Sequence, residues 1–100
     1  MAVNVNLNIH WNAPEYVWKN VDEVFRSMDY YEEGSEYPRW TCGEHYIEAS
    51  REASGLQFFS TMPEDMWDKW YSELKLKLTK ALGYEIGEPE DGYDFKYDWD

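Results

Sequence analysis

The sequence predicts an α+β fold, a two-layer sandwich in which two helices cover one face of an antiparallel-rich sheet. Apolar and polar residues alternate over residues 3–11 and again over residues 93–99, as they do in strands with one buried face. Between these runs, residues 17–28 and 66–82 repeat their apolar residues every three or four positions, which is the period of an amphipathic helix. Because each helix has a single apolar stripe, both can pack on the same face of the sheet.

The first half of the chain predicts a strand, a helix and a loop. The alternation places the strand at residues 3–11, with its asparagines on the solvent-facing side. The helix follows at about residues 13–30, where Asn12 can cap its N-terminus and Pro14 is tolerated in its first turn. Residues 32–38 are acidic and contain glycine, serine and proline, so we expect a loop there.

The next segment predicts a hairpin and a longer helix. Two strand-like runs at residues 46–53 and 56–61 indicate the hairpin. Thr61 and Glu64 have the spacing of a capping box, which predicts the start of the second helix. Its apolar stripe stops at Gly83, a residue that commonly ends helices.

A final strand is predicted at residues 93–99, with its four aromatic rings directed into the core and its charged residues in solvent. The element order is then β-α-β-β-α-β, with an additional strand if Arg39–Cys42 pairs before the hairpin. This order is typical of the split βαβ arrangement.

The chain of 100 residues contains neither an internal repeat nor a linker, so we expect a single domain over residues 1–100. Cys42 is the only cysteine, which excludes an intramolecular disulfide. The N-terminal residues lack the basic and apolar regions of a signal peptide, and no apolar run approaches the ~20 residues that span a bilayer. We therefore expect a cytoplasmic protein.

The charge is strongly acidic and unevenly distributed. The chain has 21 acidic and 9 basic residues, a formal charge of −12. Residues 15–36 hold seven acids and two bases, and residues 84–100 hold seven acids and one base. Such a chain is repelled by phosphate backbones and by anionic lipid headgroups, so neither direct nucleic-acid binding nor membrane binding is expected. The expected partner is a basic protein, such as a nuclease or another nucleic-acid-binding protein.

The leading functional hypothesis is a small binding or inhibitor protein that occludes a basic surface, as an immunity protein or an inhibitor from a phage or mobile element would. Acids steer the encounter with such a partner, and tyrosine and tryptophan anchor the bound state. The predicted partner-binding residues are Glu32, Glu33, Glu36, Tyr37, Trp40, Asp94, Asp98 and Asp100.

Three alternatives stay open. The chain can be an aromatic-rich module that binds a ligand or a carbohydrate, or a small enzyme built on Cys42 and His45. The acids can also serve only to keep an aromatic-rich domain in solution. Cys42 and His45 form only a C-x2-H fragment, and phosphate-binding glycine motifs are missing, so neither a metal nor a cofactor is expected.

Overall fold

The computed structural model describes residues 2–99. The protein consists of a five-stranded antiparallel sheet and two helices. The strand order is β1-β5-β4-β3-β2, so β2 to β5 form a meander and β1 joins it beside β5. The α+β class is therefore confirmed. The elements are β1 (Val3–Leu7), α1 (Glu15–Ser27), β2 (Tyr31–Glu32), β3 (Arg39–Cys42), β4 (His45–Glu52), β5 (Gly55–Ser60), α2 (Glu64–Leu82) and a 3-10 turn (Pro89–Asp91).

The alternation along each strand decides which face of the sheet is buried. Val5, Phe58 and Ala49 are register partners across β1, β5 and β4, and all three side chains lie on the helix side of the sheet. Their sequence neighbours Asn4 and Gln57 lie on the opposite face, where the Gln57 amide donates to Asn4 Oδ1 at 2.7 Å. One face is thus apolar and the other is polar, as period-two patterning requires.

Both helices pack on that apolar face, as predicted. Phe25 of α1 lies edge-on to Trp40 of β3, with 4.9 Å between the ring centroids. Trp70 of α2 lies against the same Trp40 ring at 4.9 Å and against Phe58 of β5 at 6.1 Å. Since one cluster of buried residues includes both helices and the sheet, the protein has a single contiguous core.

The helix starts differ from the prediction, whereas the end of α2 agrees with it. Neither helix has a side-chain cap, and Pro14 and Pro63 occupy the positions before their first residues. Asn12 lies in a turn upstream, and the Thr61 hydroxyl accepts the backbone N–H of Tyr46 at 3.0 Å instead of capping α2. Gly83 adopts φ 80° and ends α2 in the left-handed conformation that glycine allows.

The predicted final strand is wrong, because residues 93–99 contain no strand. The chain turns at Pro89–Asp91 and passes the β1 edge of the sheet, where residues 88–90 lie beside residues 4–6. The backbone of residues 93–99 makes no hydrogen bond to the backbone of β1. Tyr97 is 69% exposed, which contradicts an inward register for all four rings, although Trp99 does pack against the core. A two-residue strand, Tyr31–Glu32, occurs instead at the start of the predicted acidic loop.

Asn8 attaches this C-terminal segment to the end of β1. Although the alternation assigns it to the solvent-facing side, Asn8 is fully buried. Its Nδ2 donates to the carbonyls of Glu85 (3.0 Å) and Asp94 (2.7 Å), and its Oδ1 accepts the N–H of Gly87 at 2.9 Å. Its backbone N–H donates to Gly87 and its carbonyl accepts the Tyr84 hydroxyl at 2.8 Å. Every polar group of this buried residue is satisfied, as burial requires.

Within residues 2–99, neither α1 nor α2 combines the length and the apolar character that crossing a membrane requires.

Replacing Asn8 with alanine should lower the free energy of unfolding by about 2–4 kcal/mol, because three backbone groups of the C-terminal segment lose their buried partner. Asn4→Ala in β1 is the control, since Asn4 is exposed and loses only the exposed hydrogen bond from Gln57, so it should cost less than about 1 kcal/mol. Urea unfolding measures both values. Equal losses in the two variants would contradict the attachment role of Asn8.

Stability should fall between about pH 10 and pH 12, because the buried Tyr71 and the half-buried Tyr84 ionise less readily in the folded chain. Burial raises the pKa of Tyr84 to about 12, and burial together with the nearby Glu88 carboxylate raises the pKa of Tyr71. As pH rises, these tyrosines therefore lose their protons first in the unfolded chain. Their stabilising effect is complete below the tyrosine pKa of the unfolded chain, and it is lost as pH rises through the tyrosine pKa of the folded chain. Urea unfolding midpoints measured from pH 8 to pH 12 test this pH dependence. Tyr84→Phe should make the midpoint fall less steeply with pH, and an unaltered fall would contradict the role of Tyr84.

Candidate binding surface

The predicted partner-binding acids lie at opposite edges of the sheet. Glu32 and Glu33 lie in and just after β2, and Glu36 lies in the loop that follows. Asp94 and Asp98 lie in the C-terminal segment beside β1, four strand spacings away, or about 19 Å. The two groups therefore do not form one continuous acidic surface. Asp100, also predicted, lies outside the described residues.

Several of these acids already have cationic partners in the chain. Glu33 pairs with Arg26, which also binds Asp22 at 2.8 Å. The Ser35 hydroxyl, which donates to Glu32 at 2.7 Å, is the largest cause of the lowered pKa of Glu32; Thr41 and Arg39 act in the same direction.

The other predicted acids differ in how far they are paired. Asp98 lies 3.7 Å from Lys96. The carboxylates of Glu36 and Asp94 have no ion-pair partner among residues 2–99, so their charge is directed wholly at solvent.

Trp40 is a core residue and not a surface anchor, which corrects its predicted role. Its exposure is 0%, its ring contacts Phe25 and Trp70, and its Nε1 donates to the Phe25 carbonyl at 3.1 Å. It shares its inward face of β3 with the half-buried Cys42, whereas Arg39 and Thr41 point to the open face. The alternation within Arg39–Cys42 is the sequence signal that could have placed it.

Tyr37, in contrast, is 56% exposed and stands at the mouth of a cleft. The cleft exists because β4 is longer than β3: the ladder between them ends at Arg39 and Glu48, so residues 49–52 of β4 pair only with β5. The Pro38 carbonyl accepts the N–H of Ala49 at 3.1 Å, which fixes the loop before β3 beside this segment of β4. Helix α1 lies over this segment of β4 on the apolar face of the sheet.

This cleft, named here the α1–β4 cleft, has a volume of about 410 Å³ and combines an apolar floor with a polar rim. Its floor consists of the buried residues Val21, Phe25, Ala49 and Leu56. Trp18 and Tyr37 form walls, and the polar lining residues are Asp22, Ser50, Arg51 and Glu52. An apolar cavity with few polar groups at its rim is the usual composition of a binding site.

A cation already packs on one wall of the cleft. The guanidinium of Arg51 lies 4.1 Å from the centroid of the Trp18 ring, and its Nη2 donates to the Trp11 carbonyl at 3.1 Å. Trp18 Nε1 donates to the Ala13 carbonyl at 3.1 Å, which holds the ring in place. Glu52, next to Arg51, has no ion pair in the described part of the chain.

Sequence reasoning missed Trp18, Asp22, Arg51 and Glu52. Trp18 lies beside the apolar stripe of α1 and not within it, which is the one signal that could have indicated a wall residue. The other three are ordinary charged residues in a chain of 30 charged residues, so their types alone do not distinguish them.

Two other surfaces also carry aromatic rings. On the open face of the sheet, Arg39 stacks over Tyr46 at 4.3 Å and Tyr46 lies 6.0 Å from Phe59. Near the tail, His10 contacts the exposed rings of Trp11 and Tyr97. Neither surface has a floor of buried apolar residues comparable with that of the α1–β4 cleft.

Cys42 and His45 are register partners across the turn between β3 and β4. Cys42 is half-buried and His45 is exposed. Nucleophilic catalysis by such a pair needs a third group that orients the imidazole, and no side chain of residues 2–99 hydrogen-bonds to His45. The same residues contain no group of three or more histidine, cysteine or carboxylate side chains arranged to hold a metal ion.

Comparison of the chain with protein-family models, with curated proteins and with solved structures gave no match. The α1–β4 cleft and the loop beside it are therefore the features of the molecule that bear on its function.

The different environments of Tyr37 and Trp40 give a direct test. Trp40→Ala should lower the free energy of unfolding by about 3–5 kcal/mol, since it empties the centre of the core. Tyr37→Ala removes an exposed ring and should cost less than about 0.5 kcal/mol. Urea unfolding followed by far-ultraviolet circular dichroism measures both. A loss for Tyr37→Ala as large as that for Trp40→Ala would show that Tyr37 is structural.

Proposed function

We propose that this protein binds a basic protein and occludes its cationic surface, as an inhibitor or immunity protein does. The observation that carries the proposal is the exposed Tyr37 at the mouth of an apolar cleft whose rim includes Asp22 and Glu52. Aromatic anchors beside apolar pockets are common centres of protein interfaces, and the two acidic lining residues outnumber the one basic residue, Arg51, which favours a positively charged partner.

The distribution of charge supports the same partner. Among residues 2–99, no aspartate or glutamate is buried, so the acidic surplus of the chain reaches solvent. A surface of this kind accelerates encounter with a cationic protein and slows encounter with an anionic one. A nuclease or another nucleic-acid-binding protein has a cationic site built for phosphate, which makes it the partner class that we favour. Direct contact with nucleic acid or an anionic membrane is disfavoured for the same reason.

The proposed contact region consists of the α1–β4 cleft and the loop that borders it, with Glu36 and Tyr37 in the loop and Glu52 at the rim. Glu32 and Glu33 extend this region along β2. Asp94 and Asp98, at the other edge of the sheet, contribute to the overall field and not to this contact. A single thiol is typical of a reducing compartment, and we propose a cytoplasmic site of action.

A small-ligand module is the second candidate, and the size of the cleft favours it. Ligand sites commonly have volumes of about 300–1,000 Å³ and largely apolar linings, and the α1–β4 cleft has both properties. Binding of a neutral sugar or other uncharged ligand in this cleft, without a basic protein partner, would favour the module over the inhibitor.

The test begins with affinity capture from the source cells, using wild-type protein and Tyr37→Ala as paired baits. The expected partner is a basic protein that the wild type retains and the variant loses. With this partner purified, Tyr37→Ala should raise the dissociation rate at least about tenfold, because aromatic anchors act mainly on dissociation. Capture of acidic or neutral proteins alone would contradict the proposal.

The electrostatic part is tested by stopped-flow association over a salt series. Glu36→Gln with Glu52→Gln should slow association several-fold and flatten its salt dependence, since screening acts over about 8 Å at physiological ionic strength. Glu44→Gln with Glu90→Gln is the control of equal net charge, because both residues are exposed and lie outside the contact region. Equal effects of the two pairs, or association that is insensitive to salt, would leave the acids with a solubility role only.

A further inference from the structure

We infer that a patch of aromatic rings beside the C-terminal tail binds a proline-rich, positively charged peptide segment in the polyproline II conformation. The patch, named here the His10 patch, consists of the rings of His10, Trp11, Phe95 and Tyr97. These residues do not line the α1–β4 cleft, so binding at the His10 patch goes beyond the proposed function and does not depend on it.

The two outward rings of the His10 patch are spaced for an extended ligand. Trp11 is 48% exposed and Tyr97 is 69% exposed. The His10 ring contacts both, with its centroid 5.8 Å from that of Trp11 and 5.1 Å from that of Tyr97. The two exposed rings are therefore at most about 11 Å apart, a span that accommodates one turn of a polyproline II helix, about 9 Å long.

Hydrogen bonds and packing order the His10 patch before any ligand binds. His10 Nδ1 accepts the backbone N–H of Asn12 at 3.1 Å, and the Asp94 carbonyl accepts Nδ2 of the buried Asn8 at 2.7 Å. Phe95 lies edge-on to His10, with 6.3 Å between the ring centroids, which joins the tail to the segment after β1. A surface that is already ordered loses little conformational entropy on binding, and neither does a ligand that is already extended.

The polar atoms of the exposed rings favour a ligand rich in hydrogen-bond acceptors. Trp11 Nε1 only donates and the Tyr97 hydroxyl can donate, and neither has a partner within residues 2–99. A proline-rich segment matches them, because its carbonyls make no internal hydrogen bonds and its prolines have no N–H that needs an acceptor. A sugar hydroxyl needs an acceptor as well, which an indole does not offer. Aromatic surfaces are the usual docking sites of proline-rich segments.

The charge around the His10 patch favours a cationic ligand. Both tail rings face His10, so the carboxylates of Asp94 and Asp98 project to the other side of the tail. Asp98 lies 3.7 Å from Lys96, whereas Asp94 has no ion pair within residues 2–99. The unpaired charge acts on a ligand through its field, which extends about 8 Å at physiological ionic strength, and not by contact. The formal charge of −12 on the whole chain acts in the same sense.

The test is an NMR titration of ¹⁵N-labelled protein with a peptide of six prolines that has one arginine at each end. This peptide should give saturable shifts at the Trp11 indole N–H and at the amides of residues 95–97, with a dissociation constant below about 1 mM. A peptide in which alternating glycine and serine replace the prolines keeps the charge. It should bind at least about tenfold more weakly, because it is not ordered in advance. Glutamate in place of both arginines should weaken the proline peptide at least about threefold.

Variants of the exposed rings locate the binding. Trp11→Ala and Tyr97→Ala should each weaken the proline peptide at least about fivefold. Trp11→Phe keeps a ring but removes the donor, so its affinity should lie between those of the wild type and Trp11→Ala. Tyr30→Ala is the matched control and should leave the affinity unchanged, because Tyr30 is 42% exposed and precedes β2 at the opposite edge of the sheet. Far-ultraviolet circular dichroism checks that each variant keeps the fold.

Equal binding of the proline and glycine–serine peptides would mean attraction by charge alone and would overturn the inference. Unaltered affinity in both alanine variants, or shifts that map elsewhere, would overturn it as well. Maltohexaose is titrated in parallel, and shifts of the same resonances by this neutral sugar but not by the proline peptide would assign the patch to carbohydrate. The proposed function fails or stands separately, because capture of a basic protein through Tyr37 does not use the His10 patch.

Discussion

The packing of four aromatic rings around Trp40 is the interaction on which the rest of the structure depends. Trp40 lies at the centre of the sheet–helix layer, and four rings contact it from α1, β2, β5 and α2: Phe25, Tyr31, Phe58 and Trp70. Two indole N–H groups also bond to backbone carbonyls at the end of α1 and just after it, Trp40 to Phe25 and Trp70 to Asp29. Ring packing and hydrogen bonds together fix where both helices lie on the sheet, since buried aromatics are large and polar N–H groups need partners.

The α1–β4 cleft follows from this placement of α1. Phe25 belongs both to the ring cluster and to the floor of the cleft, so the core that holds α1 also determines the shape of the site. Residues 18–25 of α1 then lie over residues 49–52 of β4, which pair with β5 but not with β3. Among the described residues the core is electrically neutral, because its buried polar residues are Asn8 and Ser60, and the acidic residues lie at the surface.

Much of the fold could be predicted from local patterns. A helical period and a terminal glycine defined α2, and alternation on both sides of Ser54 indicated the β4–β5 hairpin. Tyr37 is exposed, as the acidic loop around it indicated, and its role as a contact residue stays a prediction. The rest of the cleft could not be predicted, because its lining residues come from α1, the loop before β3, β4 and β5, over 38 positions from Trp18 to Leu56.

The sequence by itself therefore determined the α+β class, the two helices on one face and the acidic charge, which are properties of composition and of short-range periodicity. Only the tertiary structure decided that Asn8 is buried, that Trp40 is core and that residues 93–99 form no strand. Periodicity states which residues of an element share a face, but it does not state which sheet edge is free or which distant backbone groups a polar side chain will meet. Those outcomes depend on how separate segments pack, and the burial of Asn8 by the C-terminal segment is one of them.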